Sequence, residues 1–139
     1  METSKPVSIS CVGNKTGKPY NGSFTIMTVT TNRIDFQADL RRRQILGPSP
    51  DGTPPAANLQ WKAFMLGQLF ARIQTSPSWW ESSDYGLDLE DDNVVTEVYN
   101  KLLEAEEEAE KAIKDDAKKA LKKLANKPEE EVREEFSED

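Results

Sequence analysis

Residues 47–55, GPSPDGTPP, carry four prolines and two glycines in nine positions, and no other stretch limits the fold as tightly. Proline fixes φ and has no N–H to donate, so neither a helix interior nor a central strand can run through this segment. It is a rigid, kinked connector. The regular elements must therefore lie on either side of it and pack across it.

On the N-terminal side, Val7, Ile9 and Cys11 alternate with Ser8, Ser10 and Val12, and a second alternating run begins at Tyr20 and includes Phe24, Ile26 and Thr28. This period of two, with a glycine-containing loop between the runs, predicts a β-hairpin. The loop, GNKTGK at 13–18, has Gly13, Gly17 and Lys18 in the manner of a phosphate loop. Only three residues separate its glycines and Pro19 follows the lysine, so the GxxxxGK[ST] spacing fails and a hairpin loop is the reading. A short helix follows over Asn32–Leu46, with Ile34, Phe36, Ala38, Leu40 and Ile45 available for burial and Gly47-Pro48 as its stop. Arg41, Arg42 and Arg43 sit in its last turn, where cations complement the helix dipole; contact with an acidic partner is the functional alternative.

Beyond the connector, residues 56–75 form an apolar helix, with Leu59, Ala63, Leu66, Phe70 and Ile73 recurring at steps of four, three, four and three. Trp61, Met65 and Leu69 widen this face beyond one stripe, so it is either sandwiched in the core or part of an interface. Pro77 then sets extended or turn geometry for Trp79 and Trp80, and Tyr85-Gly86 makes a turn. These two tryptophans either pack together on the core helix, or divide between a core anchor and an interface hot spot. Glu90, Asp91, Asp92 and Asn93 supply capping side chains for a third helix, whose apolar side is Val94, Val95, Val98, Tyr99, Leu102 and Leu103. After Glu104 the period persists through Ala105, Ala109, Ala112, Ile113, Ala117, Ala120, Leu121 and Leu124, but the side chains shrink. Helicity there rests on Ala, Glu, Lys and Leu, and the thin seam can zip onto another helix. Asn126-Lys127-Pro128 should end this helix, leaving an acidic end with Val132 and Phe136 that is either disordered or docks on a basic partner.

The charge is split along the chain. Residues 1–76 hold nine Lys/Arg against four Asp/Glu, net +5, whereas residues 77–139 hold nine against twenty-one, net −12. Such asymmetry implies two surfaces with different partners, or head-to-tail self-association. There is no histidine and one cysteine, Cys11, which removes the commonest zinc, acid–base and thiol arrangements. Cys11 is read as a small core or strand residue. Asp84, Asp88, Glu90, Asp91 and Asp92 do not follow the order of a calcium-binding loop and are read as capping residues without a metal. No cofactor is expected. The chain lacks an apolar run of membrane-spanning length and a signal-peptide pattern, which points to a reducing cytoplasm, with no membrane or nucleic-acid partner expected.

The expected fold is α+β: an N-terminal β-hairpin packed on a three-helix domain over residues 1–104, with a charged helical arm and acidic tail over 105–139. Trp61, Met65, Leu69, Trp79, Trp80 and Tyr99 are the expected partner-binding residues. No polar pair stands out as catalytic, so a noncatalytic protein is expected.

The order of hairpin, arginine-bearing helix, proline-rich link and apolar helix, followed by Pro77-Ser78-Trp79-Trp80, Gly86-Leu87-Asp88-Leu89 and Asp92-Asn93-Val94-Val95, resembles tail assembly chaperones of tailed bacteriophages, over roughly residues 7–107. The resemblance implies a noncatalytic protein in the host cell cytoplasm that binds the tape measure protein and assists polymerisation of the tail tube protein. In that family the C-terminal extension often arises by ribosomal frameshifting. Two alternatives from other classes are a structural virion component, such as a head decoration or connector-type protein, and an internal scaffolding protein.

Overall fold

The computed structural model describes residues 3–125. The fold is α+β, in the order β1 (Ser4–Val12), β2 (Pro19–Met27), α1 (Asn32–Leu46), α2 (Ala57–Arg72), β3 (Ile73–Thr75), α3 (Ser78–Ser82) and α4 (Asp92–Ala125). The chain divides into two compact units. The first is Met1–Glu106; the second begins at Glu107 and, among the described residues, is the remainder of α4.

β1 and β2 pair antiparallel with Val7 opposite Phe24 and Cys11 opposite Tyr20. Val7, Ile9, Cys11, Tyr20, Phe24 and Ile26 face the core, while Ser8 bonds Ser23 and Ser10 bonds Asn21 on the wet side. The alternation thus sorts apolar from polar side chains as the period of two requires. Cys11 is partly buried, and burial together with the nearby Glu97 and Asp91 carboxylates raises its thiol pKa. β3, only three residues long, adds to β2 as a third antiparallel strand, with a register irregularity at Thr25/Ile26. This strand corrects the expectation of one helix over 56–75: α2 ends at Arg72, where Ile73 turns to extended φ and ψ.

α1 has the bounds its local sequence predicts. Thr31 caps it by accepting a bond from Ile34 N–H at 3.4 Å, and Gly47, at φ 69°, donates to the Arg43 carbonyl at 3.0 Å. Its buried face is narrower than expected, because of its five apolar candidates only Ala38 is buried. Phe36 is 74% exposed. At Ala38 the packing is close: a Cβ on Gly67 of α2 would lie 2.5 Å from the Ala38 carbonyl oxygen, so the backbones approach too closely for a larger residue at 67. The arginine cluster is largely satisfied locally. Arg42 and Arg43 pair with Asp39 at 2.9 and 3.0 Å, and Arg41 lies 4.5 Å over the Phe70 ring.

Pro77 caps α3, so in place of the expected extended or turn geometry Trp79 and Trp80 lie in a short helix, where their rings meet edge to face at 6.2 Å. Trp80 is fully buried against Phe24, with centroids 5.6 Å apart. Trp79 is half-buried, T-shaped to Tyr20 and Phe24, and donates from Nε1 to the Asn21 carbonyl at 3.0 Å. Leu69, Val94, Val98 and Leu102 complete the core between α2 and α4. Arg72, itself buried, ties these layers together: its guanidinium donates to the Met27 carbonyl and pairs with Glu106 at 3.3 Å. The expected helix end at 126–128 and the acidic end lie outside the described residues.

Candidate partner-binding cleft

α2 has two jobs, and its sequence shows why. Ala63, Met65, Leu66 and Leu69 are buried, whereas Leu59, Trp61, Phe64 and Phe70 remain exposed. The helix is apolar around more of its circumference than one core can cover. Where its first half meets the end of α1, the 86–89 turn and the start of α4, it leaves a cleft of about 470 Å3. Ile45, Leu59, Leu66, Leu87 and Val95 supply apolar wall, and Trp61 stands beside them. This volume falls within the ordinary range of ligand pockets.

Trp61 is 53% exposed but not free to swing. Its ring stacks on Phe64 at 5.6 Å and meets Tyr99 edge to face at 5.7 Å. Tyr99 is buried, and burial raises the pKa of its hydroxyl, outweighing the lowering effect of Arg72. A half-exposed tryptophan held by two rings has little side-chain entropy left to lose.

The charged part of the wall is an ion pair. Lys62 Nζ lies 2.8 Å from Asp92 Oδ2, and Lys15 approaches the same oxygen at 3.4 Å. The hydrogen bond from Lys62, together with both positive charges, holds the Asp92 carboxyl below its usual pKa. Both groups stay in partial contact with water, so the pair adds little stability.

Next to Asp92, the Asp91 carboxylate is fully buried and sets the position of this wall. It accepts from the Lys15 and Thr16 amides at 2.8 and 2.9 Å, from the Thr16 hydroxyl at 2.5 Å and from the Tyr20 hydroxyl at 3.0 Å. Burial alone would raise its pKa, but these donors outweigh that effect and bring it from 3.8 to about 2. Gly13 makes the clasp possible, because a Cβ there would fall 2.1 Å from Asp91 Oδ2. Asn93 closes it by accepting from the Asn14 amide and donating to the Val12 carbonyl, both at 2.9 Å. The 13–18 loop is therefore a hairpin loop that also grips the start of α4. This corrects the capping expectation for Asp91, Asp92 and Asn93: Asp91 and Asn93 turn their side chains back across the fold to the hairpin, and Asp92 pairs with Lys62 and Lys15.

The six expected partner-binding residues separate in the structure. Trp61 is on the surface beside the cleft, and Met65 lines it while being largely buried. Tyr99 lies beneath Trp61. Leu69 and Trp80 are fully buried in the core, which corrects their assignment to a contact surface. Trp79 does not line the cleft and borders a separate depression with Tyr20 and Pro19. Leu87 and Ile45 were missed as wall residues. Leu87 sits in the Gly86-Leu87-Asp88-Leu89 motif, a signal that could have drawn attention to it; Ile45 had none beyond its apolar character.

Among the described residues no group of His, Cys, Asp or Glu is placed to hold a metal ion, and no helix is long and apolar enough to cross a membrane. Fold and cleft together describe an α+β unit with a largely apolar concavity beside α2. No family model, curated protein or solved structure matches the chain.

Proposed function

We propose that this protein is a noncatalytic morphogenesis protein that shelters an apolar segment of another protein in the Trp61 cleft. The partner we propose is a tape measure protein, held as a tail assembly chaperone would hold it in the host cytoplasm while the tail tube protein polymerises. The observation that carries this reading is the anchored, half-exposed Trp61 beside a cleft of about 470 Å3 with largely apolar walls. The Lys62–Asp92 pair is already satisfied, so burial of apolar surface is the main force available for binding. The choice of partner rests on the resemblance carried by the tryptophan pair and the two following motifs.

Calorimetric titration of the full chain with fragments of tape measure protein and with tube protein tests the proposal. Binding to a tape measure fragment that Trp61→Ala weakens at least about tenfold is the expected result. Binding to neither protein, or binding indifferent to Trp61→Ala, would overturn it. Recovery of the chain at many copies in purified particles would replace the chaperone reading with that of a virion component.

A further inference from the structure

α4 carries one apolar line into two different surroundings. Val98, Leu102 and Ala105 are buried within the first unit. The same line continues through Ala109, Ile113, Ala117, Ala120 and Leu124 at steps of four, four, three and four. There it reaches solvent: Ile113 is 39% exposed, and Leu121 on its shoulder 66%. At 100° per residue the five positions fall within about 80° of one another, a seam running straight along the helix.

The charges along residues 107–125 are ordered. Glu107, Glu108 and Glu110 occupy the beginning, Lys118, Lys119, Lys122 and Lys123 the end, and Lys111, Lys114, Asp115 and Asp116 balance in between. A parallel partner in register would set glutamates near glutamates and lysines near lysines. An antiparallel partner sets acidic turns against basic ones.

We propose that residues 107–125 pair antiparallel with the same residues of a second copy of this chain. A two-fold axis near Ala117 places Ala109 opposite Leu124 and Ile113 opposite Ala120. Each larger side chain then meets a small one, and Ala117 at the crossing lets the backbones approach. On one shoulder of the seam the same axis brings Glu108 toward Lys123 and Asp116 toward Lys119 of the second copy. At the axis the two Asp116 carboxylates also approach each other, and the two Lys119 side chains flanking them offset that repulsion. The apolar area is modest, so the association is concentration-dependent and weakens as salt screens the shoulder charges. It uses none of the cleft residues and stands whether or not the proposed partner is correct.

Sedimentation velocity of the full chain across a concentration series should show a reversible monomer–dimer equilibrium that shifts toward monomer in high salt. Reversing two shoulder charges, Lys119→Glu with Lys123→Glu, should weaken the dimer at least about tenfold, and adding Glu108→Lys with Asp116→Lys should restore it. Orientation is read by cross-linking in a Cys11→Ser background. Ala117→Cys should form a disulfide dimer by itself, and Ala109→Cys should cross-link to Leu124→Cys more readily than to itself. A monomer at all concentrations would overturn the proposal, as would a dimer indifferent to the charge reversals or one in which Ala109→Cys links chiefly to itself. Circular dichroism of each variant shows whether the helix persists; for a variant that loses it, the cysteine pairs, which leave every charge in place, decide.

Discussion

Leu69→Ala separates core from contact surface at the point where sequence and structure differ most. Leu69 is 0% exposed, and α2 is held on both sides of it, by the close Gly67–Ala38 crossing and by the Arg72 bonds to Met27 and Glu106. The helix can therefore move little to fill the space left by the lost side chain. Large-to-small substitutions at such sites cost about 3–4 kcal/mol, in the middle of the range for buried leucines. For a unit of this size that corresponds to a fall in Tm on the order of 15 °C. Urea unfolding followed by tryptophan fluorescence reports it directly, because Trp61, Trp79 and Trp80 all lie in the first unit. Trp61→Ala is the counterpart. It removes two aromatic contacts from a half-exposed ring, so its cost should stay under about 2 kcal/mol while partner binding is lost. A Leu69→Ala protein that kept wild-type stability to within about 1 kcal/mol would show that Leu69 is not in the core, and the assignment of the two faces of α2 would be wrong.

The Asp91 clasp predicts acid sensitivity. A folded pKa of about 2 against 3.8 means that its contribution is fully present above 3.8 and is lost as pH falls through about 2, so the urea midpoint should drop across that interval. Asp91→Asn should lower the midpoint at neutral pH and remove this part of the pH dependence; an unchanged acid profile would exclude the clasp as its source. Gly67→Ala should destabilise by roughly 1–3 kcal/mol, since its Cβ would meet the Ala38 carbonyl at 2.5 Å and force α1 and α2 apart; wild-type stability would refute the close crossing. Arg72→Met keeps much of the side-chain volume but leaves the Met27 carbonyl and Glu106 without their donor, at a cost of roughly 1–3 kcal/mol, measured by the same urea titration. Arg72→Lys should recover only part of it, because an ammonium cannot reproduce the guanidinium fork.

Much of the candidate site was legible as composition and little of it as geometry. The wide apolar face of α2 allowed either a sandwiched core or an interface, and of Trp61, Met65 and Leu69, which widened it, only Trp61 faces water. Which residues would face water was not legible. Leu59 and Phe70 fit the helical period as well as Leu66 does, yet only Leu66 is buried. That choice depends on how α2 is rotated against its neighbours, a rotation that brings Gly67 against Ala38 and Arg72 to Met27 and Glu106. Asp91 is a similar case. In sequence it is one of several acids before a helix; in the fold it is the buried anchor for a loop more than seventy residues earlier.

By itself the sequence determined the elements whose causes are local. Thr31 and Gly47 bound α1, alternation with a glycine loop made the hairpin, four prolines kept residues 47–55 out of regular structure, and the repeat from Val94 onward made α4. In each case the determining bonds or dihedral limits span a few residues, so they can be read in order along the chain. Tertiary structure alone decided that Ile73–Thr75 is a strand, that Trp80 and Leu69 are interior, and that the hairpin loop closes on Asp91. β3 exists because β2 offers it an edge, and the clasp exists because the fold brings residue 91 to residue 16. Such contacts are chosen by competition among packings of the whole chain, and no window of neighbouring residues contains that competition.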